Sequence, residues 1–182
     1  EHIAGGRSDT TSCEWPDIEL APGDDSVRLR AVRVIGTSGT SLSAIRRSQV
    51  IGLQLSYDVL EPQQVLSPFF TLLSDAGLEL FSTSDPDPGS IQTPRQPGRY
   101  TSTAWIPANF LADGCHYVGV SMRSMRKQIR PFVVRDCITF TVVDDSEHVL
   151  GASWWEGRLS GVIRPDLDWT TEYVPQNMVI EG

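Results

Sequence analysis

Val50-Ile51-Gly52-Leu53-Gln54-Leu55-Ser56-Tyr57-Asp58-Val59 is the stretch on which the fold class turns. Ile51, Leu53, Leu55, Tyr57 and Val59 recur at a period of two, with Gly52, Gln54, Ser56 and Asp58 between them. Successive side chains of a strand point to opposite faces, so this pattern predicts a strand with one face on a core and the other toward solvent.

Working outward, Phe69-Phe70-Thr71-Leu72-Leu73-Ser74 and Leu78-Glu79-Leu80-Phe81-Ser82 flank Asp75-Ala76-Gly77. A three-residue turn with glycine in the left-handed position predicts a hairpin there. Upstream, Val27, Leu29, Ala31 and Arg33 alternate with Arg28, Arg30, Val32 and Val34, which predicts a strand of mixed burial ending near Gly36, before a turn over Thr37–Ser41. Downstream, Tyr100–Ile106, Cys115–Arg123 and Asp136–Val143 are short, alternating runs punctuated by Pro107 and Asp113-Gly114. At least seven strands and no 3.6-residue stripe predict an all-β fold, an antiparallel β-sandwich of immunoglobulin-like or jelly-roll type. With 182 residues the chain has room for one well-buried domain. Residues 1–26, rich in Gly, Ser, Thr, Asp and Pro, are expected as a linker, 27–182 as the sandwich, and 151–182, with three of the five Trp, as an extra strand or dimer arm. The polar stretch Thr83–Gly98 is long enough for a functional loop.

A net charge of −8 disfavours nucleic acid and anionic membrane surfaces as partners, because phosphate binding needs concentrated positive charge. The basic stretch from Arg123 to Arg130 is the local exception and is expected as a solvated loop between strands. No run approaches the roughly 20 apolar residues of a membrane span, and Glu1–Gly6 lacks the basic and apolar regions of a signal peptide. Cys13, Cys115 and Cys137 make no CxxC pair, so free thiols in a reducing compartment are expected. GxxxxGKS/T, GxGxxG, HExxH and GxSxG are all missing. His2, His116 and His148 receive no role, and Asp58, Glu79, Asp85 and Asp87 are formal glycosidase candidates that read more simply as solvated faces and turns. The chain is therefore expected not to be an enzyme.

Aromatic residues on polar faces point elsewhere. Sugar rings pack apolar C–H faces on flat side chains while their hydroxyls need hydrogen-bonding partners. Tyr117 shares its strand face with Gly119, Ser121 and Arg123, and Trp154-Trp155 cannot both point inward. The polar face of one sheet carrying Gln54, Ser56, Tyr117, Ser121 and Arg123, with Arg126 and Trp155 beside it, is the expected carbohydrate-binding site.

A resemblance agrees. Cys13-Glu14-Trp15 followed by Ala21-Pro22-Gly23-Asp24-Asp25-Ser26-Val27-Arg28-Leu29 resembles the junction after the ATPase domain in ATP-binding subunits of polysaccharide ABC exporters. Gly77–Thr83, Pro97-Gly98-Arg99-Tyr100, Trp105–Leu111 and Gly161–Trp169 resemble, in order, the Wzt-type C-terminal domain, over about residues 13 to 170. The resemblance implies a β-sandwich, often dimeric, that binds lipid-linked O-antigen or a related glycan on the cytoplasmic side, peripheral to the inner membrane. Its implied partners are the polysaccharide, a second copy and the transporter's membrane subunit. It implies no cofactor in this domain, with ATP and Mg in an ATPase domain preceding residue 1. The alternative expectation is a dimerisation module without glycan binding, its Trp-rich tail exchanged between protomers.

Overall fold

The computed structural model describes residues 10–42, 44–84 and 92–145. Among them are nine strands: β1 (Ser12–Glu14), β2 (Val27–Ile35), β3 (Ile45–Arg46), β4 (Ile51–Val59), β5 (Leu66–Ser74), β6 (Glu79–Ser84), β7 (Gly98–Ile106), β8 (Gly114–Ser124) and β9 (Ile129–Val143). They form two sheets, ordered β1-β2-β4-β7 and β3-β9-β8-β5-β6. Every pairing is antiparallel except the short parallel one between β3 and β9. One apolar layer joins the sheets, with Leu29, Leu53 and Leu55 from the first packed with Leu72, Val118 and Phe140 from the second. This is the predicted sandwich.

β4 behaves as its alternation requires: Ile51, Leu53, Leu55, Tyr57 and Val59 are buried, while Gln54, Ser56 and Asp58 keep partial access to solvent. The β5–β6 hairpin closes around Asp75-Ala76-Gly77, with Gly77 at φ 74° and its N–H donated to the Ser74 carbonyl at 2.9 Å. β2 departs from simple alternation for a local reason. Leu29 faces Tyr57 but Ala31 faces Ser56, so Arg30 is an extra residue in the strand and the side-chain phase flips there. Val32 and Val34, not Arg33, therefore continue the core face begun by Val27 and Leu29.

Two boundaries differ from the sequence reading. The expected linker over residues 1–26 already belongs to the sandwich from residue 10. Thr139 donates its N–H to the Thr10 carbonyl at 3.0 Å, and Ser12, Cys13 and Glu14 then pair with Arg33, Val32 and Ala31 of β2. In a few residues the chain thus crosses from one sheet to the other. β9 begins at Ile129 rather than Asp136; a bulge sets Arg135, Asp136 and Cys137 opposite the single Gly119, and Asp136 takes φ 49°. The arm expected over residues 151–182 lies outside the described residues.

The sandwich's two sides are unlike. On one, β1 and β2 lie against β9, and β3 extends the sheet beyond it. On the other, β7 and β6 are the outer strands of their sheets.

The two faces of β4 make a direct test of this arrangement. Leu55→Ala, at a position with no solvent exposure, should cost about 2–5 kcal/mol in urea unfolding, whereas Ser56→Ala should cost under about 1 kcal/mol. Equal costs would contradict the facing of β4.

Candidate functional site

The residues expected to form one site occupy two surfaces. Gln54 and Ser56 lie on the outer face of the four-stranded sheet, whereas Tyr117, Ser121 and Arg123 lie on the outer face of the five-stranded sheet, with the core between them. Stacked sheets sit about 10 Å apart, so one shallow site cannot span both sets. Strand periodicity assigns a residue to a side of its strand and is silent about which strands share a sheet. The β9 bulge also closes over Gly119, where an added Cβ would lie 3.3 Å from the Val134 carbonyl oxygen, and so interrupts the row between Tyr117 and Ser121. Arg126 lies in the β8–β9 turn and donates to the Gln63 carbonyl at 3.0 Å, Arg123 donates to Gln128 Oε1 at 3.4 Å, and Lys127 meets Glu61 at 3.5 Å. Only Met125–Gln128 of the basic stretch form the turn; Arg123 lies in β8 and Arg130 in β9, so the expected loop is shorter than the stretch read from the sequence. Trp155 lies outside the described residues.

A cleft of about 540 Å³ opens instead on the side where β7 and β6 are outer strands. Pro68 and Phe70 of β5 form its apolar wall, and Thr83 and Ser84 of β6 line one rim. The other rim is β7 from Thr101 to Trp105. Being an outer strand, β7 offers both faces: Ser102 and Ala104 sit opposite Leu55 and Leu53 on the core side, while Thr101, Thr103 and Trp105 sit opposite Ser56, Gln54 and Gly52 on the outer side. The lining thus combines the hydroxyls of Thr83, Ser84, Thr101, Ser102 and Thr103 with the apolar surfaces of Phe70 and Trp105.

The outer side of β7 continues onto β4 as a cross-strand ladder. At one end Trp105 lies over Gly52. A Cβ on Gly52 would fall 2.9 Å from Trp105 Cζ3, from Thr103 Cγ2 and from Ile35 Cγ1, so only glycine admits the ring this close to the sheet. Trp105 nevertheless remains 51 % exposed. Next come Gln54, donating to Thr103 Oγ1 at 3.4 Å, and Ser56 with Thr101, their hydroxyls 3.0 Å apart. At the far end Arg99 holds Asp58 through Nε at 2.7 Å and Nη2 at 3.0 Å, and Arg30 Nε approaches the same carboxylate at 3.4 Å. The Arg99 hydrogen bond, with both nearby guanidinium charges, outweighs desolvation and holds the Asp58 carboxyl below the ordinary carboxylate range. Asp58 is therefore a fixed anion, unsuited to donating a proton near neutral pH. Of the other carboxylate candidates, Glu79 is exposed and accepts from Ser82, and Asp85 and Asp87 lie outside the described residues.

Trp105 lines the candidate cleft and was missed by the sequence reading, although a signal existed. Alternation over Tyr100–Ile106 groups it with Thr101 and Thr103, a lone Trp on a polar face, which is the argument that singled out Tyr117. Its seat on Gly52 required knowledge of the pairing. His116 belongs to the core: it is buried, stacks on Phe140 at 5.4 Å between ring centroids, and lies 3.0 Å through Nδ1 from the Gly114 carbonyl. His2 and His148 lie outside the described residues. Cys137 is free, and burial pushes its thiol up to about 12. Among the described residues no group of three or more His, Cys, Asp or Glu is placed to hold a metal ion, and no helix is long and apolar enough to cross a membrane.

No protein-family model matches the sequence, and no curated protein matches it. Comparison of structures is informative. The crystal structure of the C-terminal domain of Wzt superposes on the chain with a TM-score of 0.62, covering 91 % of this chain and 93 % of that one at 10 % sequence identity. The chain shares the fold of the Wzt C-terminal domain. This agrees with the resemblance read from Cys13 to Trp169 in the sequence. A Niemann-Pick type C2 protein from Japanese carpenter ant also aligns, with a TM-score of 0.44 over 68 % of this chain and 97 % of that one at 11 % identity, and nothing is built on that likeness. Within the Wzt fold, the cleft of this chain falls between the outer strands of its two sheets.

Two measurements follow from these contacts. Gly52→Val should lift Trp105 from the sheet and shift its fluorescence, with the circular dichroism spectrum otherwise retained; an unchanged emission spectrum would contradict the Gly52–Trp105 packing. Burial lowers the pKa of His116 from its ordinary 6.5. As pH falls below that value the unfolded chain takes up a proton before the folded one, so the stability contributed by the neutral imidazole is complete above 6.5 and lost as pH drops toward the folded pKa. Thermal unfolding between about pH 8 and 5 should show a falling Tm in the native chain and a flatter profile in His116→Leu.

Proposed function

We propose that the chain is a non-catalytic carbohydrate-binding module that recognises a polysaccharide for export by an ABC transporter. The observation that carries this reading is the β7 cleft, in which hydroxyl side chains on both rims face Phe70 and the exposed indole of Trp105. A sugar ring has the complementary make-up, with a C–H face for the indole and hydroxyls that both donate and accept toward Thr and Ser. Among the described residues no strand pairs with the outer edge of β7, so its backbone N–H and C=O groups there are further partners for a hydroxyl-rich ligand.

The Wzt-type resemblance supplies the setting. In that family the corresponding domain binds lipid-linked O-antigen or a related glycan at the cytoplasmic face and couples recognition to export. By the same reading an ATPase domain holding ATP and Mg precedes residue 1, the transporter's membrane subunit is the larger partner, and the module works as a homodimer, peripheral to the inner membrane. The site resides on β7 with the β4 ladder, not on the β8 face.

Calorimetric titration with the polysaccharide of the source strain, beside an unrelated polysaccharide, tests the reading. Selective binding is expected. Trp105→Ala and Thr103→Val should each weaken it by about tenfold, equivalent to about 1.4 kcal/mol, while Tyr117→Ala and Arg123→Ala on the opposite sheet should change it by less than about twofold. The reverse pattern would move the site to β8. No binding of either polysaccharide by the folded chain would sink the glycan reading in favour of a pure dimerisation module.

A further inference from the structure

Beyond the Thr101–Ser102 end of the cleft the chain keeps a half-buried guanidinium. Arg95, in the segment leading into β7, is fixed to Gln64 by two backbone bonds, Arg95 N–H to Gln64 carbonyl at 2.7 Å and the reverse at 3.1 Å. Its guanidinium carbon stands 5.4 Å from the ring centroid of Tyr57 and 5.3 Å from that of Tyr100, and the two rings stack on each other at 5.8 Å and 13°. Cation–π contact offsets part of the desolvation, which still acts to lower the Arg95 pKa.

No described carboxylate completes the pair. Asp58 serves Arg99 and Arg30, and Glu61 serves Lys127. The neighbouring polar groups are in the same condition. Arg95 Nη1, the Tyr57 hydroxyl and Gln64 Oε1 are all buried without a hydrogen-bond partner; Tyr57 has no solvent exposure and Gln64 only 6 %. The Gln64 amide nitrogen is directed elsewhere, toward Glu61 and the Pro62 carbonyl. Such groups are kept in folded proteins when something else supplies their partner.

The cluster adjoins the cleft in register. Tyr100 and Ser102 are successive core-side positions of β7, about 7 Å apart along the strand, and Ser102 lines the cleft. On the facing side Leu66 alone separates the inward positions of Gln64 and Pro68, and Pro68 lines the cleft as well. A ligand that extends along β7 beyond Ser102 would approach this cluster.

We propose that Arg95, held on the Tyr57–Tyr100 platform, is the counter-ion for an anionic substituent of the bound polysaccharide, a carboxylate or phosphate oxygen. This rests on the glycan reading and specifies it: the ligand is acidic, although the chain itself carries a net charge of −8. Stacking covers the guanidinium face and leaves its N–H edge for the anion, the geometry in which arginine binds oxyanions best.

The test uses three preparations of the source strain's polysaccharide: native, carboxyl-reduced by carbodiimide and borohydride, and dephosphorylated by hydrofluoric acid. The native chain should lose about tenfold or more in affinity for one treated form, and which one identifies the anion as carboxylate or phosphate. Arg95→Gln should bind native and treated forms alike, at the lower level, while Arg123→Gln, on the opposite sheet, should keep the discrimination. Arg95→Lys, which retains charge but loses the planar fork, should fall between, and it serves if the Gln variant fails to fold. Equal binding of all three preparations by the native chain overturns the role of Arg95 and leaves the glycan reading standing. Discrimination that persists in a folded Arg95 variant overturns the role too, and failure to bind the native polysaccharide overturns both.

Discussion

Two sheets can share one apolar layer only if the sides where that layer ends are shielded from water, and this chain treats its two sides differently. On one, Thr10 pairs with Thr139 of the five-stranded sheet and, two residues later, Ser12 pairs with Arg33 of the four-stranded sheet. Trp15 and Cys13 then pack against the core from outside. On the other side, among the described residues, the outer strands β6 and β7 are separated by a cleft that Phe70 of the core lines. The cleft is a consequence of that asymmetry. Closing both sides would have produced a more complete core with nowhere for a ligand to enter.

An outer strand with an accessible edge invites pairing with other chains, and β7 carries two features that moderate this. Thr101, Ser102 and Thr103 are polar on both faces, so no apolar stripe accompanies the free edge. The strand is also held firmly from its inner side, through Trp105 over Gly52, the Ser56–Thr101 and Gln54–Thr103 contacts, and the two-pronged Arg99–Asp58 pair. A rim whose rotamers are set before binding loses little side-chain entropy when a ligand arrives. Arg30 joins this arrangement through the β2 bulge: the extra residue turns a second guanidinium toward Asp58 while restoring Val32 and Val34 to the core.

What was legible in the sequence was what depends on neighbours along the chain. β4 and the hairpin at Asp75-Ala76-Gly77 are set by side-chain period and by a single left-handed glycine, both local properties. The bulges at Arg30 and at residues 135–137 were not legible, because an extra residue is recognised only against its partner strand; the charged Arg130 and Arg135 gave the first half of β9 no clear alternation. β1 was missed because three residues in a polar segment carry no period. The largest loss was at the site. Gln54 and Tyr117 each lie on a polar outer face, as read, but joining them assumed that β4 and β8 share a sheet, and sheet membership is decided by long-range packing that no local pattern encodes.

The two ends of β7 are chemically unlike, and this bears on how a linear ligand would lie. At the C-terminal end Trp105 offers an uncharged aromatic surface seated on Gly52; at the N-terminal end Tyr100 carries a guanidinium stacked against it. Four residues of extended strand lie between them, a span of about 17 Å that includes three hydroxyl side chains. Hydroxyls recognise a sugar ring in many orientations, because each both donates and accepts. An apolar platform at one end and a cation at the other do not share that indifference. A polysaccharide bound as proposed, but with its charged sugar toward Trp105, would leave both the anion and Arg95 unpaired, so on that reading the ends of β7, rather than the rims between them, would set the direction of the bound chain.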